Sequence, residues 1–199
     1  MLYTVYGMSE SGNCYKVKLL LEQLRQPYQW REVNILNGES RTDKFLAMNP
    51  NGQTPVLAID NDRFLAESNA ILVYLAEGSG LLPVDKFERA QVLQWMFFEQ
   101  YSHEPYIAVA RFINKFLPPD HARQTDMPRL HERGYRALDV MEKYLASRNY
   151  FVGEKYSTAD IALYAYTHVA ADGGFDLARY PVITAWLQRI AAQPDFVEM

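Results

Sequence analysis

The sequence contains only one cysteine, Cys14, so no disulfide can form within the chain. This scarcity argues against a disulfide-stapled secreted domain and favours a reducing compartment. The apolar runs are far shorter than the roughly 18 residues that a membrane-spanning helix needs, so no membrane partner is expected. Positive charge is not in excess either, because 20 lysines and arginines are scattered among 24 aspartates and glutamates. Proteins that bind nucleic acid usually carry a basic stripe, so a nucleic-acid partner is not expected.

The first ten residues, MLYTVYGMSE, lack the charged segment and the long apolar segment of a signal peptide, and the expected location is the cytoplasm. The sequence also lacks a motif for a metal, a nucleotide or a flavin, so we predict no metal site and no bound cofactor. What the chain does have is material for a core, since 49% of its 199 residues are hydrophobic and 14% are aromatic. That length has room for one large or two small domains.

The first 78 residues alternate between predicted strands and predicted helices. Val17, Leu20 and Leu21 recur at the helical period, which indicates a helix over residues 14–24. A short turn at residues 60–62 joins two predicted strands and implies an antiparallel hairpin. The predicted strands are residues 2–6, 28–34, 56–59 and 63–65, and the other predicted helices are residues 42–48 and 68–77. The resulting order, β-α-β-α-β-β-α, is that of a thioredoxin-like domain.

Beyond residue 78 the pattern predicts helices alone. Residues 79–86 include Gly80 and Pro83 and are interpreted as a linker. Predicted helices cover residues 87–116, 127–147, 157–171 and 181–192, and Pro105 is expected to kink or divide the first of them. The predicted fold class is therefore α/β plus all-α, with a thioredoxin-like domain over residues 1–78 followed by an all-helical domain over residues 87–199.

Several features of the helical part predict packing rather than chemistry. Ser157 and Asp160 have the spacing of a capping box at a helix start, so Asp160 is expected to be structural and not catalytic. One face of the first predicted helix carries four residues at helical spacing, Ala90, Leu93, Phe97 and Tyr101. The aromatic residues expected in the core are Trp95, Phe97, Phe98 and Trp186.

Four motifs follow one another along the chain. They are SGNCYKVKLLL at 11–21, NPNGQTPVL at 49–57, ESNAILVYL at 67–75 and FVGEKYSTADIALY at 151–164. With these motifs in this order, essentially the whole sequence resembles a cytosolic glutathione transferase of the bacterial, serine type, theta- or nu-like. The resemblance implies a homodimer with glutathione as co-substrate, bound by the N-terminal domain, and an acceptor substrate held by the helical domain.

The resemblance assigns five residues to glutathione binding. It implies a cis bond between Thr54 and Pro55, which would expose the Thr54 backbone to pair with glutathione as if it were another strand. A trans proline that opens an edge strand is the alternative. Ser68, at a predicted helix start, would bind the γ-glutamyl carboxylate with help from the helix dipole, although it could also be a plain N-cap. Glu67 would belong to the same subsite and suit the ammonium group, and Gln53 would bind the glycyl end.

The reacting group of glutathione is a thiol, whose ordinary pKa of about 8.5 must be lowered to give a thiolate at neutral pH. In redox-active thioredoxin-like proteins, a C-x-x-C motif lies between the first strand and the first helix. Here that place holds Ser11-Gly12-Asn13-Cys14, so the first, attacking thiol is absent. The resemblance to serine-type transferases implies that Ser11 donates to the glutathione thiolate and that Asn13 assists.

Three other residues compete for the catalytic role. Tyr6 ends the first predicted strand, near the place where tyrosine-type relatives carry their hydroxyl, and Ser9 lies in the same loop as Ser11. Cys14 could form a mixed disulfide with glutathione, as in cysteine-type relatives. Its second position in the motif favours instead a small buried residue.

On the acceptor side, the resemblance places His103, Tyr106 and Arg111 towards a cleft between the domains. His103 is alternatively a hydrogen-bonded helix or interface histidine. The expected function is transfer of glutathione to an electrophilic small molecule, and glutathione-dependent reduction of a peroxide or a disulfide is the alternative. A non-catalytic binding module of the same fold is a third possibility, but it predicts decay of the ligand motifs, which survive here.

Overall fold

A computed structural model describes residues 2–60 and 62–199 of the chain. These residues form two compact units, of which the first holds the residues up to Leu82 together with Pro194–Met199 and the second holds Pro83–Gln193. The first unit is a mixed sheet with helices and the second is helical, which confirms the predicted fold class. Residues 194–199 thus group with the sheet unit, although they follow the last helix.

The first unit is a four-stranded sheet in the order β2-β1-β3-β4. The strands are β1 (Tyr3–Gly7), β2 (Tyr28–Glu32), β3 (Val56–Ala58) and β4 (Phe64–Ala66), and the helices are α1 (Gly12–Gln23), α2 (Asp43–Leu46) and α3 (Ser68–Ala76). Strands β1 and β2 are parallel, whereas β3 is antiparallel to both β1 and β4. The predicted element order and the predicted hairpin are confirmed, although Asn61 of its turn lies outside the described residues.

The two faces of the sheet hold different helices because side chains alternate along a strand. Tyr6 of β1 and Val56 of β3 are paired, and on their face they pack with Phe45 of α2. The other face holds α1, where the Cys14 sulfur lies so close to Gly7 that a Cβ there would be only 3.0 Å from it. Helix α1 also packs against α3, which brings these two helices together at one side of the sheet.

The second unit consists of helices. They are α4 (Lys86–Phe98), α5 (Glu104–Phe116), α6 (Met127–Leu145), α7 (Thr158–Thr167) and α8 (Pro181–Ala191). A π-helical segment, Glu99–His103, separates α4 from α5, and Pro105 falls in the first turn of α5. This confirms the expected division near Pro105. Proline is tolerated in the first turn of a helix because the N–H group that it lacks would have no intrahelical partner there. Among the described helices, none has the length and apolar character to cross a bilayer.

The two faces of α4 differ from the sequence prediction in one respect. Trp95 and Trp186 are buried as predicted, but Phe97 is 69% exposed, so its assignment to the core is wrong. The buried side of α4 instead carries Val92, Trp95 and Met96. Because Phe97 lies on the opposite side of the helix, its ring faces solvent. The face predicted from helical spacing therefore exists, but it is exposed to solvent and does not pack in the core.

Helix α7 is buried along its whole length and begins at a capping box. The Asp160 carboxylate, fully buried, accepts hydrogen bonds from the backbone N–H groups of Phe151 and Ser157 at 3.1 and 3.0 Å. It also accepts from the Ser157 hydroxyl at 3.1 Å and from the Trp186 indole N–H at 3.0 Å. Burial raises the pKa of Asp160 to about 6, against the opposing effect of these hydrogen bonds. The predicted structural role of Asp160 is confirmed, since its carboxylate joins α7, α8 and the preceding loop.

We expect Asp160→Asn to lower the free energy of unfolding by about 3 kcal/mol, because the amide NH2 would face groups that are themselves donors. The measurement is urea denaturation followed by tryptophan fluorescence. Asp85→Asn is the matched control, because Asp85 caps the exposed start of α4 and asparagine caps as well. It should cost about 0.5 kcal/mol or less. Equal small losses for both variants would contradict the role given to the buried carboxylate.

Candidate functional site

The start of α1 is capped by Ser11, whose backbone is extended with φ −88° and ψ 124°. Its hydroxyl oxygen accepts a hydrogen bond from the Cys14 backbone N–H at 3.4 Å, and its own N–H donates to the Met8 carbonyl at 3.0 Å. A serine that caps in this way uses a lone pair of its oxygen, so its O–H group still acts as a donor, here to the Cys14 sulfur. Ser11 is partly exposed, so this donor lies at the surface of the first unit, beside the positive end of α1.

Ser9 and Tyr6, the two other hydroxyls near Ser11, are used differently. The Ser9 hydroxyl donates to the Glu32 carboxylate at 2.6 Å, and the Ser9 N–H donates to it at 2.9 Å. Burial raises the pKa of Glu32, but the hydrogen bonds from Ser9 and from the Trp30 indole lower it by more, so its pKa lies below the ordinary value. Tyr6 packs against the Phe45 cluster on the α2 face of the sheet. These contacts favour Ser11 over both rivals as the donor.

Cys14 lies beneath this surface with no exposed area. Burial raises the pKa of its thiol, and hydrogen bonds with the Thr54 and Ser11 side chains only partly offset the effect of burial. A buried thiol with a raised pKa is a poor nucleophile. The structure therefore confirms Cys14 as a small buried residue, and it also shows that Ser11 and Thr54 contact the same sulfur.

The loop before β3 contains the cis peptide bond that was expected between Thr54 and Pro55. Pro55 is buried, whereas Thr54 is partly exposed and the Gln53 side chain is exposed. Asn49, itself buried, supports the loop by donating from its side-chain amide to the Gln53 carbonyl at 2.8 Å. Gly52 closes the turn with φ +63°, a conformation that glycine adopts without strain. The loop thus presents Gln53 and Thr54 at the surface.

The start of α3 is built from Glu67 and Ser68. Glu67 has φ +68° and ψ 110°, an uncommon conformation for a residue with a side chain, and its side chain is exposed. In the part of the chain that the structure describes, this carboxylate makes no capping hydrogen bond to α3. Ser68 follows as the first helical residue and is only 5% exposed. A strained residue before a helix start is typical of functional sites.

Lys16, which was not among the residues predicted from the sequence, connects the starts of α1 and α3. Its side chain has no exposed area, and its ammonium donates to the Ser68 hydroxyl at 3.3 Å and to the Asn69 side-chain oxygen at 3.4 Å. The Ser68 hydroxyl in turn donates to the Asn13 side-chain oxygen at 3.2 Å. Asn13 and Ser68, assigned from separate motifs, therefore contact each other directly. A lysine among the apolar residues of a helix was the available signal, since lysine is seldom fully buried.

Two family models match the chain. The N-terminal domain model of glutathione S-transferases covers residues 10–77, and the C-terminal domain model covers residues 95–194. The chain belongs to the glutathione S-transferase family.

The relatives of this chain include several bacterial proteins. The disulfide-bond oxidoreductase YfcG of Escherichia coli is 32% identical over 92% of this chain and 87% of its own length. A solved glutathione S-transferase from Pseudomonas fluorescens Pf-5 is 59% identical with a TM-score of 0.96, over 100% of this chain and 98% of that one. Another family member from the same bacterium, solved with two glutathione bound, is 28% identical with a TM-score of 0.84, over 97% and 89% of the two chains.

The residues predicted for the acceptor side belong to the helical unit of this protein. His103 has no exposed area, and its Nε2 lies 2.9 Å from the Thr167 hydroxyl, which itself donates to the Leu163 carbonyl. Arg111 is 4% exposed and pairs with Asp172 at 3.0 Å. Both side chains serve the packing of their own unit. Tyr106 is partly exposed, and among the three it has the surface that an acceptor contact requires.

We expect the Cys14 thiol to react at least 100-fold more slowly in the native protein than after unfolding, because burial both shields it and keeps it protonated. The measurement is labelling with a chromogenic thiol reagent, which reports on this residue alone because the chain has one cysteine. Cys14→Ala should keep glutathione-dependent activity within a few-fold of the wild type. Rapid native labelling, or loss of activity in a folded Cys14→Ala variant, would contradict the assignment of Cys14 as a buried structural residue.

Proposed function

We propose that this protein is a glutathione transferase that ionises the thiol of bound glutathione and directs the thiolate at an electrophilic small molecule. The observation that carries the proposal is the partly exposed Ser11 at the start of α1, whose oxygen caps the helix and whose proton, directed at the Cys14 sulfur here, can turn to the sulfur of glutathione. Ser11 also lies next to Thr54 across the Cys14 sulfur. In this proposal Thr54 pairs with the cysteinyl backbone of glutathione, and the glutathione sulfur lies over Ser11.

One hydrogen bond from Ser11 would raise the ionised fraction of the bound thiol substantially. A free thiol with a pKa of about 8.5 is only a few per cent ionised at neutral pH. A hydrogen bond to a charged group contributes about 1.5–3 kcal/mol, which lowers the pKa of the thiol by about 1–2 units. The Ser11 hydroxyl and the positive end of α1 both favour the negatively charged sulfur. Asn13 is the second donor in the proposal.

The remaining glutathione contacts are assigned by charge and exposure. The γ-glutamyl carboxylate binds Ser68 at the start of α3, where the first-turn N–H groups and the helix dipole favour an anion. The exposed Glu67 carboxylate suits the γ-glutamyl ammonium, and the exposed Gln53 amide suits the glycyl end. Pro55 shapes the loop that presents Thr54.

In the transfer reaction the thiolate attacks an electrophilic carbon and forms a carbon–sulfur bond. With an activated aryl chloride, chloride then departs with the electron pair of the broken carbon–chlorine bond. Ser11 holds the sulfur as a thiolate until it attacks, so the proton of the thiol is lost to solvent before the bond forms. No metal or redox cofactor enters this sequence of steps.

Disulfide reduction is the second candidate, because a relative at 32% identity carries the name disulfide-bond oxidoreductase. The bound thiolate would attack one sulfur of a substrate disulfide and release the other as a thiolate. A second glutathione would then attack the mixed disulfide, which yields oxidised glutathione and a second substrate thiol. A peroxide would use the same stoichiometry, with the first thiolate attacking oxygen. The family member solved with two glutathione bound holds the number of molecules that this chemistry consumes.

Ser11→Ala is expected to raise the pKa of bound glutathione by about 1–2 units and to lower kcat/KM at neutral pH by roughly 10- to 100-fold, because one donor to the thiolate is lost. The measurement is an ultraviolet difference titration of the thiolate band. Ser9→Ala is the matched control from the same loop, since its hydroxyl is held by Glu32, and it should leave the pKa of the bound thiol within about 0.5 units.

The outcomes separate the candidate functions. Activity with an activated aryl chloride that is lost in Ser11→Ala supports the transferase, whereas activity confined to a small mixed disulfide supports the reductase. A pKa effect in Ser9→Ala or Tyr6→Phe, with none in Ser11→Ala, would move the donor to that residue. Failure of the wild type to bind glutathione would overturn both enzymes in favour of a non-catalytic binding module.

We also propose that the protein is a cytoplasmic homodimer in which α4 provides the contact between the two copies. The exposed face of α4 carries Phe87 and Phe97, which are 71 and 69% exposed, and Tyr101 of the following π-helical segment is 84% exposed. Large apolar side chains exposed on one part of a surface favour an interaction there. A two-fold axis would pair this face with the same face of a second copy. The cytoplasm is the compartment in which glutathione is kept reduced.

Phe97→Asp is expected to convert the dimer to a monomer at micromolar concentration, because it places a charge in the apolar contact. The measurement is sedimentation velocity. Val140→Asp on α6 is the matched control, since Val140 is an apolar residue that is 47% exposed on a different helix. It should remain dimeric. A wild-type monomer, or a dimer that survives Phe97→Asp unchanged, would contradict the interface.

A further inference from the structure

The buried ammonium of Lys16 lies where the candidate glutathione site needs positive charge. An ammonium without exposed area is costly unless oxygen atoms surround it. Two of the oxygens that accept from Lys16 belong to Ser68 and Asn69, the first two residues of α3. The start of a helix carries the positive end of its dipole, so a cation there does not stabilise the helix. Ammonium and dipole both favour an anion at this position.

The direction of each hydrogen bond follows from the chemistry of the groups. An ammonium can only donate, so the Ser68 oxygen must accept from Lys16. The single proton of the Ser68 hydroxyl then points away from Lys16 and towards the Asn13 side-chain oxygen. With its oxygen on Ser68, the Asn13 side chain has its NH2 group as the half that can donate to a sulfur. Lys16 thus determines the direction of both the Ser68 proton and the Asn13 amide.

We propose that Lys16 is a positioning residue that couples the γ-glutamyl end of the glutathione site to its thiolate end. Through Ser68 it holds the start of α3, whose backbone N–H groups face the incoming carboxylate in the proposed site, and through Ser68 and Asn13 it orients an amide donor for the sulfur. The proposal rests on the function proposed above, because it assigns Lys16 a part in that same site. Lys16 itself touches neither glutathione nor the electrophile; it acts through Ser68.

The test variant is Lys16→Met, which keeps the length of the side chain and removes the charge and the donor. The first measurement is calorimetric binding of S-methylglutathione, which has the γ-glutamyl carboxylate but no thiol. The second is the spectroscopic pKa of the thiol in bound glutathione. We expect binding to weaken by about 10-fold or more and the pKa of the thiol to rise by about one unit, since the start of α3 and the Asn13 amide both lose their positioning.

Lys18→Met is the matched control, because Lys18 lies on the same helix but donates to the Glu198 carbonyl at 3.0 Å, outside the candidate site. It should change neither measurement. The effect of Lys16→Met on S-methylglutathione binding should also disappear in a Ser68→Ala background, because Lys16 acts through Ser68. A purely structural loss would persist in that background. Should Lys16→Met fail to fold, Lys16→Gln replaces it, since glutamine keeps one donor and lacks the charge.

The two proposals fail in different ways. If the wild type binds glutathione as a thiolate and the Ser11→Ala variant does not, the proposed function is supported whatever the result for Lys16. If a folded Lys16→Met variant then binds S-methylglutathione like the wild type and keeps the same thiol pKa, the role of Lys16 is overturned. The same holds if the effect of Lys16→Met is unchanged in the Ser68→Ala background. A wild type without a bound thiolate overturns the proposed function itself.

Discussion

The starts of α1 and α3 are held against each other by a buried ammonium group, and the geometry of the candidate site depends on that contact. Lys16 has no exposed area, so its charge is stabilised by protein oxygens, and two of these belong to Ser68 and Asn69. Ser68 then reaches Asn13 near the start of α1. Two residues that are 55 positions apart in the chain are thereby placed within 3.2 Å of each other. This contact joins the residues that are proposed to serve the two ends of glutathione.

The second constraint is the close packing of Cys14 against strand β1 of the sheet. Gly7 lacks a side chain where the Cys14 sulfur packs, and Ser11 and Thr54 contact the same sulfur from other directions. The protein thiol is consequently sealed under the residues that would receive the thiol of glutathione. Burial raises the pKa of the first sulfur and favours its protonated form, whereas the partly exposed Ser11 is proposed to serve a second sulfur that arrives with the ligand.

The helical unit is organised around buried polar groups that are hydrogen-bonded. Its central helix, α7, is entirely buried, and the donors at its start converge on the Asp160 carboxylate. Polar residues of this unit that suggested chemistry, His103 and Arg111, are also enclosed and hydrogen-bonded. Buried polar groups of this kind stabilise a packed core only when they are hydrogen-bonded. The candidate site and the buried Asp160 carboxylate therefore lie in different units of the chain.

The sequence by itself determined the order of the elements and the capping box at Asp160. These features depend on residues within a few positions of one another, where spacing and backbone preference decide the structure. Only the tertiary structure decided that Lys16 is buried, that Ser9 serves Glu32 and that Phe97 faces solvent. A helical period shows which residues share a face, but it does not show which face meets the core. That choice depends on contacts between distant segments, which make one side of a helix buried and leave the other to water.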